Sequence, residues 1–177
     1  MNISSYKKIM IVGNAGSGKT TLAFKLAKLT DLPLYHLDQY YWKPDWQRTG
    51  TLEFTFIHAK LCNKDRWIIE GCNNSWLQDR VAAADFMIFL DMPRYQCLWR
   101  VIKRSLLNYG KIIPGSPAGC KQKIMTFKFL EFLRWVWHFK NRSRLIIVNH
   151  IESAIQAGKQ VVVLKSDKEV NDFFKNN

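Results

Sequence analysis

Gly13-Asn14-Ala15-Gly16-Ser17-Gly18-Lys19-Thr20 follows the apolar run Ile9-Met10-Ile11-Val12 and precedes a stretch of helical periodicity. The octet fits G-x-x-x-x-G-K-[ST], and a strand before it with a helix after it is the context that pattern requires. Its three glycines let the backbone turn successive N–H groups inward, forming an anion nest at the positive end of a helix that starts near Lys19. Phosphate fits such a nest. Lys19 would place a point charge on the β- and γ-phosphates, and the Thr20 hydroxyl would hold one coordination position of Mg²⁺. Gly13 to Thr20, with Thr21 beside them, are therefore the expected nucleotide-binding residues. A glycine-rich turn that binds nothing would leave the Lys19-Thr20 tandem without a purpose.

Working outward, periodicity predicts a first strand over Lys8 to Val12 and a helix over Lys19 to Leu29, with Leu22, Leu26 and Leu29 on one face. A second strand, Leu34 to Leu37, delivers Asp38 to its carboxyl end, the edge where open α/β sheets bind ligands. Asp38 reads either as a turn cap or as a carboxylate facing a substrate. Gln39 to Trp46, crowded with Tyr40, Tyr41, Trp42 and Trp46, either covers a phosphoryl acceptor or forms an aromatic mini-core. A helix from Thr51 to Cys62 carries Leu52, Phe56 and Ala59 at helical spacing, and a third strand from Arg66 to Gly71 ends in a second carboxylate, Glu70.

After a short helix containing Trp76, Leu77 and Arg80, the fourth strand runs from Phe86 to Leu90. Pro93 then opens a helix that sets Arg100, Lys103 and Arg104 close to one side, either a solvated basic face or a phosphate grip. Asn108 to Lys123 is a basic loop rich in Gly and Pro, and loops of that length usually move or bind. Phe127 to Phe139 is a helix apolar nearly all round, which is either buried or meets a partner. Another helix, Leu145 to Ala157, leads to the fifth strand, Gln160 to Leu164, and Ser166 or Asp167 caps a last helix through Phe174. Strands alternating with helices predict a doubly wound α/β fold with a five-stranded parallel sheet between helical layers, in one domain.

At 177 residues the chain can bury a proper core, and its composition, 47% hydrophobic and 23% charged, is globular. No apolar run reaches membrane-spanning length, and the opening Met-Asn-Ile-Ser-Ser-Tyr-Lys-Lys has no signal-peptide core, which predicts a cytoplasmic protein without a membrane partner. Cys62, Cys72, Cys97 and Cys120 form no C-x-x-C pair, so reduced thiols are expected rather than a zinc site or a disulfide framework. The formal net charge of +13 implies attraction to polyanions, whether nucleotides, nucleic acid or anionic membrane. Much of that excess lies between Arg94 and Arg144.

Ile11 to Thr20, Tyr35-His-Leu-Asp38 with Trp42-Lys43-Pro44, Trp67-Ile-Ile-Glu-Gly71, Ala84 to Arg94, Leu98 to Arg104 and Val163 to Val170 together carry a resemblance. The chain resembles the adenylate-kinase-like P-loop kinases, and more closely the DNA topology modulation proteins of FlaR type. That resemblance implies a segment at about 38–66 covering the acceptor and a helical lid at about 105–125 closing over ATP. It implies that Arg100 and Arg104 approach the transferring phosphoryl group and that Arg142 completes their cluster. It also implies that Ser166 lies where the adenine is lined, and that Glu70 orders the Mg²⁺ shell. The stretch from Asp38 to Trp67 departs from adenylate kinases, offering aromatics and Arg48 in place of the arginines that hold a monophosphate.

The expected activity is phosphoryl transfer from ATP·Mg²⁺ to a small acceptor. Lys19, Arg100 and Arg104 would stabilise charge on the γ-phosphoryl oxygens, and Asp38 would orient an acceptor hydroxyl or take its proton, with Glu70 as the competing base. A nucleic-acid-binding ATPase or a regulatory nucleotide-binding protein is the alternative raised by the basic charge. The apolar helix at 127–139 leaves monomer and homodimer both open.

Overall fold

The computed structural model describes residues 3–175. Its main sheet is built from β1 (Lys8–Gly13), β2 (Leu34–His36), β5 (Trp67–Glu70), β6 (Phe86–Leu90) and β7 (Gln160–Leu164), all parallel, in the order β2-β5-β1-β6-β7. Between β2 and β5 the chain adds α2 (Leu37–Tyr41), a two-stranded antiparallel hairpin of β3 (Trp42–Lys43) and β4 (Gln47–Arg48), and α3 (Thr51–Cys62). The remaining helices are α1 (Lys19–Thr30), α4 (Leu77–Ala83), α5 (Arg94–Leu107), α6 (Phe127–His138), α7 (Ser143–Gln156) and α8 (Asp167–Lys175).

Strand alternation sorts the sheet's side chains into two cores. Ile9 and Ile11 point to one face, where they pack with Leu22 and Leu26 of α1, Val101 of α5 and Phe173 of α8. Met10 and Val12 point to the other, onto Phe54 of α3, Leu77 of α4 and Ile147 of α7. From Ile9 to Val12 and from Phe86 to Leu90 the central strands are apolar without a break because both faces are covered, which gives three layers, helix on sheet on helix.

The structure revises four expectations. Leu29 is 46% exposed, so only Leu22 and Leu26 of the predicted α1 stripe reach the core. In α3 the inward residues are Phe54, His58, Leu61 and Cys62, whereas Leu52 and Phe56 are 87% and 72% exposed. Phe54 decides that face: its ring meets Trp76 at 4.7 Å and Tyr41 at 5.1 Å between centroids. The second strand ends at His36 rather than Leu37, and α2 begins at Leu37, so Asp38 stands in the first turn of that helix, two residues beyond β2. Of α6 only Val136 is buried, while Phe127 and Leu130 are exposed.

Candidate functional site

The loop after β1 is held from both sides. Gly16 has φ +77°, and a Cβ built there would lie 2.3 Å from the Cys97 carbonyl oxygen of α5, so only glycine fits between loop and helix. The Asn14 amide donates to the Val136 carbonyl of α6 at 2.9 Å. No side chain caps the first turn of α1 behind Gly18, which leaves its backbone donors facing the loop mouth. Lys19 Nζ donates to the Asn14 carbonyl at 2.8 Å. Asn14 Oδ1 and Ser17 Oγ are buried without partners. Unpaired polar groups around an uncapped helix start fit a phosphate cradle.

Next to this loop, Glu70 is 6% exposed at the end of β5, and its Oε1 accepts from Thr20 Oγ1 at 3.0 Å. The same oxygen lies 2.7 Å from Nδ1 of buried His36, its register partner on β2. Burial alone would raise the Glu70 pKa. The His36 hydrogen bond, the Lys19 and His36 charges and the Thr20 bond outweigh it and hold the carboxyl below its ordinary value. Asp38 is exposed by area yet surrounded by protein groups, as a residue on a cleft wall is. The crowding protein and the negative Glu70 raise its pKa, against the pull of Lys19, Arg104 and His36. Arg104, in turn, has its pKa lowered by burial and supported by Asp38 and Glu70, and its Nε is buried without a partner.

Lys19, Asp38, Glu70, Arg104 and the overlooked His36 thus share one cleft at the mouth of the loop. Loop 108–126 closes over it: Gly115, at φ +80°, leaves no room for a Cβ, which would lie 2.7 Å from Thr20 Cγ2. Farther along, this loop is fastened to the β3–β4 hairpin. Trp46 Nε1 donates to the Lys121 carbonyl at 3.0 Å, Cys120 Sγ to the Lys43 carbonyl at 3.2 Å, and Lys123 pairs with Asp45 at 3.2 Å.

Other expected site residues lie elsewhere. Arg100 Nη2 pairs with Asp167 Oδ2 at 2.6 Å, and Gln96 donates to the same oxygen. Arg142 is exposed and joins no ion pair among the described residues; its neighbour Arg144 grips Asp91 through Nε and Nη2. Thr21 is exposed on α1. Ser166 caps α8, accepting from the Glu169 amide at 3.2 Å while Glu169 Oε2 accepts from the Lys165 amide. Ser166 and Asp167 also line a groove of about 460 Å³ with Pro93, Tyr95 and Trp99 of the α5 side.

Arg80 is fully buried and was read from sequence only as part of a short helix. Its guanidinium donates to the Gly71 and Asn73 carbonyls at 2.9 and 3.0 Å, fixing the turn that follows Glu70. Burial lowers its pKa to about 10. A histidine two residues before Asp38 was the one available hint for His36; an arginine on a helix carries none for Arg80.

Among the described residues no cluster of three or more His, Cys, Asp or Glu side chains is placed to hold a metal ion. The Thr20 hydroxyl beside the Glu70 carboxylate is the sparse oxygen set that suits Mg²⁺ carried in on phosphates. No helix among these residues is long and apolar enough to cross a membrane.

No protein-family model matches the chain, and no curated protein matches it. Among solved structures it is similar to shikimate kinase from Acinetobacter baumannii in complex with shikimate, with a TM-score of 0.58 and 14% identity over 98% of this chain and 92% of that one. It is similar also to shikimate kinase from Bacteroides thetaiotaomicron, with a TM-score of 0.55 and 14% identity over 97% of this chain and 95% of that one. The parallel five-stranded sheet, its helical layers and the loop after β1 are accordingly those of the P-loop α/β fold that the shikimate kinases have.

Proposed function

We propose that this protein transfers a phosphoryl group from ATP·Mg²⁺ to a hydroxyl of a small acceptor held between α2 and loop 108–126. The observation that carries this reading is the gathering of Lys19, Arg104 and Glu70 around Asp38 at the mouth of an uncapped phosphate loop. Bound ATP·Mg²⁺ would supply the transferable group. Lys19 would exchange its bond to the Asn14 carbonyl for phosphate oxygens, and Arg104, desolvated and with Nε unpaired, would meet charge developing on the transferring group. Arg100 stands one turn earlier, its charge balanced by Asp167 until a triphosphate offers another partner.

Asp38 would orient the acceptor hydroxyl and receive its proton, a role that a carboxyl with a raised pKa and an open side suits better than Glu70. Glu70, tied to Thr20 and His36, would order the metal's water shell. The groove between Trp99 and Lys165–Asp167 would take the adenine, with the 62% exposed Trp99 ring free to stack. Loop 108–126 would serve as the lid and 38–66 as the acceptor cover, within one domain.

A screen of labelled ATP against nucleosides, nucleoside monophosphates and small hydroxylated metabolites, shikimate among them, tests this reading. One labelled product is expected, with turnover falling about 10³-fold or more in Arg104→Ala. The absence of ATP binding in magnesium would overturn it. The +13 charge and the seven tryptophans favour a second reading, a nucleic-acid-stimulated ATPase. A duplex DNA arm in the same screen separates the two: hydrolysis that rises with DNA, and no labelled small product, would establish the second.

A further inference from the structure

The end of the α5–α6 pair beside loop 108–126 carries an exposed apolar and basic surface whose side chains are not among the groups gathered around Asp38. Arg94, at the start of α5, lies 4.2 Å from the ring of Trp137, at the end of α6, so the two helices run antiparallel. The end of α5 and the start of α6 therefore share the opposite end, about 20 Å away at 1.5 Å per residue. At that end Leu106, Leu107, Tyr109, Ile112, Met125 and Phe127 are all exposed, from 49% for Ile112 to 91% for Met125. Among them stand Lys103, Lys111, Lys121 and Lys128, exposed and in no ion pair among the described residues. From Arg94 to Leu130 the chain has eight lysines and arginines and no acidic residue at all.

We infer that, contrary to the sequence expectation of no membrane partner, this end of the molecule docks on the surface of an anionic lipid bilayer, with Leu107, Met125 and Phe127 entering the headgroup boundary and the lysines facing lipid phosphates and carboxylates. Exposed hydrocarbon beside lysine is the composition of an interfacial anchor, and long lysine stems lie along apolar side chains with the charge directed to the headgroups. A nucleic acid would match the charge but would leave the aliphatic side chains in water, since stacking requires rings and only Tyr109 and Phe127 supply them. A second copy of the chain would match the hydrocarbon but would set lysines against lysines. None of these side chains is among Lys19, Asp38, Glu70 and Arg104, but Lys111, Ile112, Lys121 and Met125 belong to loop 108–126, so docking is tested by vesicle binding, which reads the surface without turnover.

The test is co-sedimentation of the full chain with vesicles of phosphatidylcholine alone and of phosphatidylcholine with phosphatidylserine, comparing the native protein with Met125→Glu/Phe127→Glu. Binding is expected only to the serine-containing vesicles, weakening as salt is raised and falling at least about tenfold in the double variant. Circular dichroism and melting confirm that the variant is folded, and a single variant, Leu107→Glu, repeats the measurement if it is not. Three results would each overturn the inference: no binding to anionic vesicles at low salt, equal binding by native and variant chains, or a native dimer in solution that the same substitutions dissolve. Retention on duplex DNA that the apolar substitutions leave unchanged, with no vesicle binding, would assign the charge to nucleic acid instead.

Discussion

His58 is fully buried on α3, with Asp79 Oδ2 4.0 Å from its Nδ1, and burial with the neighbouring Arg80 lowers its pKa to about 4. A base whose folded pKa is depressed contributes stability that is present above its ordinary value of about 6.5 and is lost as pH falls toward 4, because the unfolded chain takes up the proton first. The loss should reach about 3 kcal/mol, read as a fall in melting temperature between pH 7 and pH 4.5 that His58→Gln flattens. Glu70 works in the same direction: its lowered pKa contributes stability that is present above the ordinary carboxylate value and is lost as pH falls through the lowered one. The placement of Lys19, Thr20, Asp38 and Glu70 in one candidate site was legible because an α/β fold brings strand ends and loop mouths to one edge of its sheet. His36 and Arg80 were not. Their importance lies in what they touch across the sheet, and residue type alone does not report that.

Loop 108–126 and the β3–β4 hairpin form the most telling pair of elements. Trp46→Phe removes the bond to the Lys121 carbonyl while keeping an aromatic ring. Weakening the closed arrangement by about 1 kcal/mol should speed proteolysis within the loop about fivefold, with little change in melting temperature. Gly115→Ala acts on the other side of the same loop. Its Cβ would intrude on Thr20, so the loop can no longer seat over the cleft, and turnover should drop about tenfold or more while the fold persists. The strands Phe86–Leu90 and Gln160–Leu164 could be read to the residue, being apolar runs bounded by turn chemistry. The hairpin could not, since its strands are two residues long and its turn puts Asp45 and Trp46 at positive φ, which no local pattern announces. The inward face of α3 was equally hidden, because aromatic partners from two other segments chose it.

Across the whole molecule, charge and packing are unevenly divided. Between Arg94 and Arg144 the chain places twelve lysines and arginines against one acidic residue, Glu131, while the two cores flanking the sheet hold the apolar bulk. The layered architecture was legible because alternating strands and helices admit few arrangements, and composition supplied the charge. The way loop 108–126 folds back onto the hairpin depends on contacts about 77 residues apart in the chain, which periodicity cannot reach. One long-range contact has a wider consequence. Asn14 joins the glycine-rich turn to the carboxyl end of α6 across 122 residues, with its amide shielded from water. Neither segment can melt by itself without stranding a donor or an acceptor in a dry place, so the two should open as one cooperative unit. Deuterium uptake at Gly16 and Ser17 is expected to follow that at Trp135 to His138 as urea is added, and Asn14→Ala should uncouple the two rates.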